Sequence, residues 1–186
     1  MNSSWRLAWS ALISLGMGLW PVTEALGAPA PDACAVLQKA DVEAAFAPRV
    51  FGSGKLGPVV VKVTEKNASW LAAVTDCAVT STEASAKDRL SVTLQLRRAP
   101  SDATGVTPEQ ARAGSTQLKA TPVDVPGLGV GAYWVDLGSS SRPVIQLNVF
   151  RGKREWLIFS ASGKKLSAAA TLAGLTSVAK AAAARP

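Results

Sequence analysis

Arg89-Leu90-Ser91-Val92-Thr93-Leu94-Gln95-Leu96-Arg97 is the clearest strand in the chain. Leu90, Val92, Leu94 and Leu96 alternate with Ser91, Thr93 and Gln95, the two-residue period of a β-strand with one apolar and one wet face. A half-wet strand belongs in an antiparallel sheet, since parallel sheets are covered on both faces. Before this strand, Pro48 and then Gly52, Gly54 and Gly57 mark a Gly-rich loop, Val59 to Thr64 and Val74 to Thr80 are β-rich runs, and Asn67-Ala68-Ser69 between those runs reads as a turn. Thr107-Pro108-Glu109 opens a helix running to about Lys119, with Thr107 as cap and Pro108 at the first position. Its apolar residues are few and small, so it should lie on the surface. Pro122 to Gly131 is a rigid connector into a strand at Ala132 to Leu137. Pro143 to Phe150 and Glu155 to Ala161 form a hairpin about Arg151-Gly152-Lys153-Arg154.

Helical patterns close both ends. Asp32 can cap a turn carrying Cys34, Val36 and Leu37, followed by a helix over Lys39 to Phe46 with Val42, Ala45 and Phe46 on one face. Leu166 to Ala184 is a long Ala-rich helix with Leu172, Leu175, Val178, Ala179 and Ala182 at helical spacing. The expected class is α+β: an antiparallel sheet of about five or six strands with helices packed on it.

Residues 1–27 have the form of a secretory signal peptide. Arg6 is the basic start, Leu7 to Leu19 the apolar core, and Ala25-Leu26-Gly27 a small-residue cleavage site. The apolar core is shorter than the roughly 20 residues of a membrane span. An uncleaved N-terminal anchor is the rival reading. A short linker, residues 28–32, then leads into one domain at 33–186. The mature chain is expected in the periplasm or outside the cell, with no transmembrane segment. Export makes Cys34 and Cys77, the only cysteines, a disulfide pair. The bridge closes a long loop, for which the chain-entropy argument gives about 4 kcal/mol.

The chain has no histidine and a net charge of +7. It lacks the commonest general base and metal ligand, and two cysteines cannot make a four-cysteine zinc site. No metal and no organic cofactor are expected. Ser162-Gly163-Lys164-Lys165 matches a Ser-x-x-Lys nucleophile motif, but Ser162 follows a strand, where that chemistry needs a helix start. Gly127, Gly129 and Gly131 precede a strand, which suits a tight turn better than a phosphate cradle. Asp136 and Glu155 are the carboxylates whose spatial pairing would suit a hydrolase. Tyr133, Trp134 and Trp156 either line one concave surface or belong to the core. Arg97, Arg98, Arg142, Arg151, Lys153, Arg154, Lys164 and Lys165 fall at strand ends or turns. Of these, Arg151, Lys153 and Arg154 sit together at a hairpin tip and are the candidate patch for an acidic protein or an anionic envelope component, the alternative being a solvated rim that keeps the protein soluble. Nucleic acid is disfavoured by export and by the scarcity of aromatic residues to stack bases.

Ala33-Cys34-Ala35-Val36-Leu37-Gln38-Lys39-Ala40-Asp41-Val42-Glu43-Ala44-Ala45-Phe46 resembles the opening of many exported bacterial proteins and lipoproteins of unknown function. Asp76-Cys77-Ala78-Val79 resembles the early strand that carries their second Cys. Val125-Pro126-Gly127-Leu128-Gly129-Val130-Gly131-Ala132-Tyr133-Trp134 resembles their Val-Pro-Gly-Leu-Gly-Asp-Ala-Ala-Tyr block, departing from it at Val130-Gly131. The likeness spans nearly all of residues 33–180 and implies a PsbP-like α/β sandwich. It brings no catalytic residues with it. The function expected is an exported, non-catalytic binding or accessory module; the alternative is a small secreted hydrolase with a site of carboxylates and Ser/Lys assembled in space.

The signal-peptide reading predicts that protein exported by a bacterial host begins at Ala28. N-terminal sequencing of the secreted product checks this, and an intact residue 1–27 segment on membrane-bound protein would favour the anchor instead.

Overall fold

A computed structural model describes residues 32–57, 60–65, 68–139, 143–164 and 166–185. Residues 1–27 and 28–31, read from the sequence as a signal peptide and a linker, lie outside them, as do Asn67, Arg142 and Lys165. The order is α1 (Ala33–Val36), α2 (Lys39–Ala45), β1 (Lys55–Leu56), β2 (Val60–Glu65), β3 (Ala68–Thr80), β4 (Ser91–Arg98), α3 (Pro108–Gln117), β5 (Val123–Asp124), β6 (Gly131–Asp136), β7 (Val144–Arg151), β8 (Glu155–Ser162) and α4 (Ala168–Ala183). The class is α+β. One antiparallel sheet of eight strands runs β1-β3-β4-β8-β7-β6-β5, with β2 pairing β3 on the edge that β1 also uses. Two of the eight, β1 and β5, are only two residues long.

The alternation in β4 sets the register of the centre. Leu94 lies beside Cys77 of β3 and Phe159 of β8, and Phe159 beside Leu147 of β7. The next apolar rows are Leu96 with Leu157 and Val149, and Val92 with Ala161 and Ile145. All of these are buried and form one core with Val36, Leu37, Val42, Leu175, Val178, Ala179 and Ala182. So α1, α2 and α4 seal this face. Burying each large aliphatic side chain here is worth roughly 1.5–3 kcal/mol.

The Cys34–Cys77 disulfide joins α1 to the second long strand, as expected from the sequence. Asp32 caps α1 by accepting from the Cys34 amide at 2.8 Å. Gly54 leaves room for the bridge: a Cβ there would lie 2.9 Å from the Cys77 sulfur. Thr107 and Gln110 make a capping box at the start of α3, whose only buried residue is Ala111.

Three local expectations change. β3 begins at Ala68, so Ala68 and Ser69 are strand residues where the sequence suggested a turn. The Gly-rich loop contains β1, and the Pro122 to Gly131 connector contains β5. Both are backbone pairings that carry no apolar period to read.

The connector's tight turn is real: Gly127 and Gly129 have φ of +77° and +58°. A Cβ on Gly127 meets nothing within 4 Å, whereas one on Gly129 would lie 2.1 Å from the Phe150 carbonyl oxygen. Gly127→Ala should therefore cost only the left-handed backbone penalty, about 1–2 kcal/mol. Gly129→Ala should cost more than about 3 kcal/mol, because a backbone clash adds to it. Urea denaturation of the two variants checks the ordering.

Candidate functional site

The other face of the sheet is built from the residues between the core rows. One row is Val74, Arg97, Trp156 and Phe150; the next is Asp76, Gln95, Ile158, Asn148 and Tyr133; a third is Ala78, Thr93, Ser160, Gln146 and Val135. The chain leaves β4, crosses to this side and lays α3 over the β6–β7 end. There Ala111 and Ala120 pack with Tyr133, Val135 and Phe150. The β3–β4–β8 end stays open as a groove of about 490 Å³ whose lining includes Lys55, Asp76, Thr93, Gln95, Arg97 and Gln146.

A ladder of rings joins the covered and open parts. Arg112 lies over the Tyr133 ring at 4.9 Å. Tyr133 and Phe150 stack at 6.4 Å between centroids, and Phe150 and Trp156 at 5.5 Å. Arg97 lies over the Trp156 ring at 4.6 Å. Each ring pair is worth about 0.5–1.5 kcal/mol beyond burial, and each exposed cation–ring contact about 0.5–1 kcal/mol. The ladder holds the Arg97 guanidinium at the rim of the groove. Its Nε also donates to Gln95 Oε1 at 2.6 Å. Asn148, fully buried, accepts at Oδ1 from Gln146 Nε2 at 3.0 Å and Trp156 Nε1 at 3.1 Å. The floor is thus a preset network of amides and cations.

Tyr133 and Trp156 do share one face, but Trp134 points to the other and packs against the sealed core. Neither Gln95, Gln146 nor Asn148 stood out in the sequence. The signal for Asn148 was available: with Gln146 it is one of two amides at alternate positions of the otherwise apolar run Ile145 to Phe150.

The candidate patch divides into a held arginine and two outward cations. Arg151 ends β7 and is only 15% exposed; it pairs with Glu155 at 2.8 Å and donates to the Arg185 carbonyl at 2.6 Å. Glu155 also pairs with Arg98. Arg185 reaches Asp41 and the Val36 carbonyl, so this chain of charges closes one end of the sealed core. The candidate patch is therefore corrected at Arg151, which is a structural residue and not a free tip charge. Lys153 and Arg154 are exposed at the turn, with Arg154 Nε donating to the Ala99 carbonyl at 3.0 Å. They border a second open depression of about 430 Å³ with Arg98, Asp102 and Glu155. Lys164 lies at the opposite end of β8.

The hydrolase elements do not converge. Asp136 is level with Ile145 and Ala161, whereas Glu155 begins β8, six residues away. That is about 20 Å along a strand, beyond the roughly 5–10 Å that glycoside hydrolysis uses. Ser162 ends β8, and α4 starts only at Ala168. Among the described residues no group of three Cys, Asp or Glu could hold a metal ion. Against known proteins, the chain matches no family model, no curated protein and no solved structure.

Burial raises the Tyr133 phenol above its ordinary value of 10.0, outweighing the Ser115 hydrogen bond and the nearby Arg112 and Arg97 charges. Tyr133 is the only tyrosine, so its titration is directly visible in ultraviolet absorbance. Between the unfolded and folded values the folded state holds the extra proton, so this contribution to stability is whole below about pH 10 and lost as pH rises through the folded value. Tyrosinate should appear at higher pH in native than in urea-denatured protein; equal midpoints would place Tyr133 in water.

Proposed function

We propose that the protein is an exported, non-catalytic binding module with a PsbP-like sandwich, which docks an anionic partner at the β7–β8 hairpin end. The observation that carries the reading is the composition of that depression. Arg98, Arg151, Lys153 and Arg154 line it against Asp102 and Glu155, an excess of positive charge. Glu155 is held by two arginines, which leaves Lys153 and Arg154 as the cations facing outward. Two features support export: the N-terminal pattern and the disulfide, which suits an oxidising compartment. The scattered placement of Asp136, Glu155 and Ser162 supports a binding role over hydrolysis.

The partner chemistry is a cluster of negative charge, as on an acidic protein segment or an anionic lipid or polymer of the envelope. Poly-L-glutamate and phosphatidylglycerol vesicles are the two probes that separate these sources. Exposed charges are screened beyond about 8–10 Å at physiological ionic strength, so binding should fall steeply with added salt. Replacing Lys153 by Ser together with Arg154 by Gln should weaken binding several-fold and leave the fold intact. Arg151→Gln should instead lower thermal stability, because it removes a partner of the largely buried Glu155. Unchanged binding by the Lys153/Arg154 variant at low salt would overturn the assignment of the hairpin end.

A further inference from the structure

The groove on the open face carries a pattern of charge that the hairpin end does not. Lys55 is level with Ala78, and Arg97 with Val74; Asp76 lies midway between those two positions on β3. All three side chains belong to the same face and line the same groove. The order is therefore cation, carboxylate, cation, at steps of two residues. Lys55 and Arg97 are about 13 Å apart along the strands and about 10 Å apart across them, since each flanks β3 on a different side. Lys55 is exposed and Asp76 half-buried, so both charges reach solvent. Arg97 is held against Trp156 and Gln95.

We infer that this groove binds an extended peptide segment of a partner protein with the side-chain pattern acidic-x-basic-x-acidic. An extended peptide presents residues i, i+2 and i+4 on one side, spanning about 13 Å. That is the period of the sheet beneath it, so the two acids meet Lys55 and Arg97 while the central base meets Asp76. The diagonal course is taken up by the long side chains at either end. Beside that line, on β4, Gln95 is level with Asp76 and Thr93 with Ala78; the Gln95 amide and the Thr93 hydroxyl each offer both a donor and an acceptor, which matches a peptide backbone. Asp76 also selects against the competitors. A polymer of a single negative sign, such as an acidic glycan or a polyphosphate, would set charge directly against that carboxylate. The site is separate from the hairpin end and stands whether or not the hairpin end binds polyanions.

The test is fluorescence anisotropy with labelled peptides at low ionic strength, using the disulfide-intact protein. The probe has the core Glu-Ser-Lys-Ser-Glu. Its control, Glu-Glu-Ser-Ser-Lys, has the same composition and net charge in another order. Exposed ion pairs contribute modestly, so the ordered peptide should bind roughly tenfold more tightly than the control. Lys55→Glu combined with Arg97→Glu should abolish that difference, and Lys153→Ser with Arg154→Gln should leave it unchanged. Asp76→Lys should turn the preference toward Glu-Ser-Glu-Ser-Glu, and Asp76→Asn, a smaller change, should remove the discrimination at the central position. Circular dichroism confirms that each variant is folded. Equal affinity for the ordered and reordered peptides, or no saturable binding of the ordered one, would overturn the inference. So would an unaltered preference in both folded Asp76 variants.

Discussion

The alternation of apolar and polar residues along β4 governs the sheet and the helices laid on it. β4 lies at the centre of the sheet between β3 and β8. A one-residue slip would carry Val92, Leu94 and Leu96 to the opposite face and leave Thr93 and Gln95 under α1 and α4. In the register observed, three rows run from β3 to β7, apolar throughout except for the buried Thr75 of β3, and give the helices one continuous surface to seal. The disulfide has its place because Cys77 faces that side beside Leu94, within reach of the short α1.

The same register decides what the opposite face can do. Residues that alternate with the core rows are forced outward whether or not they are polar. Where they are aromatic, at Tyr133, Phe150 and Trp156, α3 and two arginines cover them. Where they are polar, at Asp76, Thr93, Gln95, Gln146 and Ser160, they stay open. The sheet therefore separates two tasks, cohesion on one side and display on the other. The ion pairs Arg98–Glu155–Arg151 and Arg185–Asp41 close the end of the cohesive side with charge, on the side chains of four different elements and the chain just after α4. Partners of this kind protect one another from burial without compensation, which explains why Arg151 is not available at the tip.

Much of this was legible in the sequence because it depends on local period. β4, the β7–β8 hairpin, the capped start of α3, the Ala-rich α4 and the cysteine pair each follow from spacing or residue type. The parts that were not legible are those set by neighbours across the sheet. Nothing near Arg151 in the chain announces that Arg185 and Glu155 will hold it; the register of β7 with β8 and the end of α4 do so. Asp136 and Glu155 fall on adjacent parts of a meander, yet antiparallel pairing sends them to opposite ends. Lys55 sat in a Gly-rich loop with no apolar pattern, and only its pairing with β3 sets it in line with Asp76 and Arg97. Trp134 and Tyr133 are adjacent, so the pleat must send one to each face.

The separation of the two faces is tested most directly by alanine substitutions at neighbouring positions, measured by equilibrium urea denaturation. Leu94→Ala and Phe159→Ala, on the sealed face, should each cost about 3–5 kcal/mol. Thr93→Ala and Ser160→Ala, one residue away on the open face, should stay within about 0.5 kcal/mol. Losses of similar size at both pairs would contradict the two-faced sheet, and a larger loss at Thr93 than at Leu94 would reverse it.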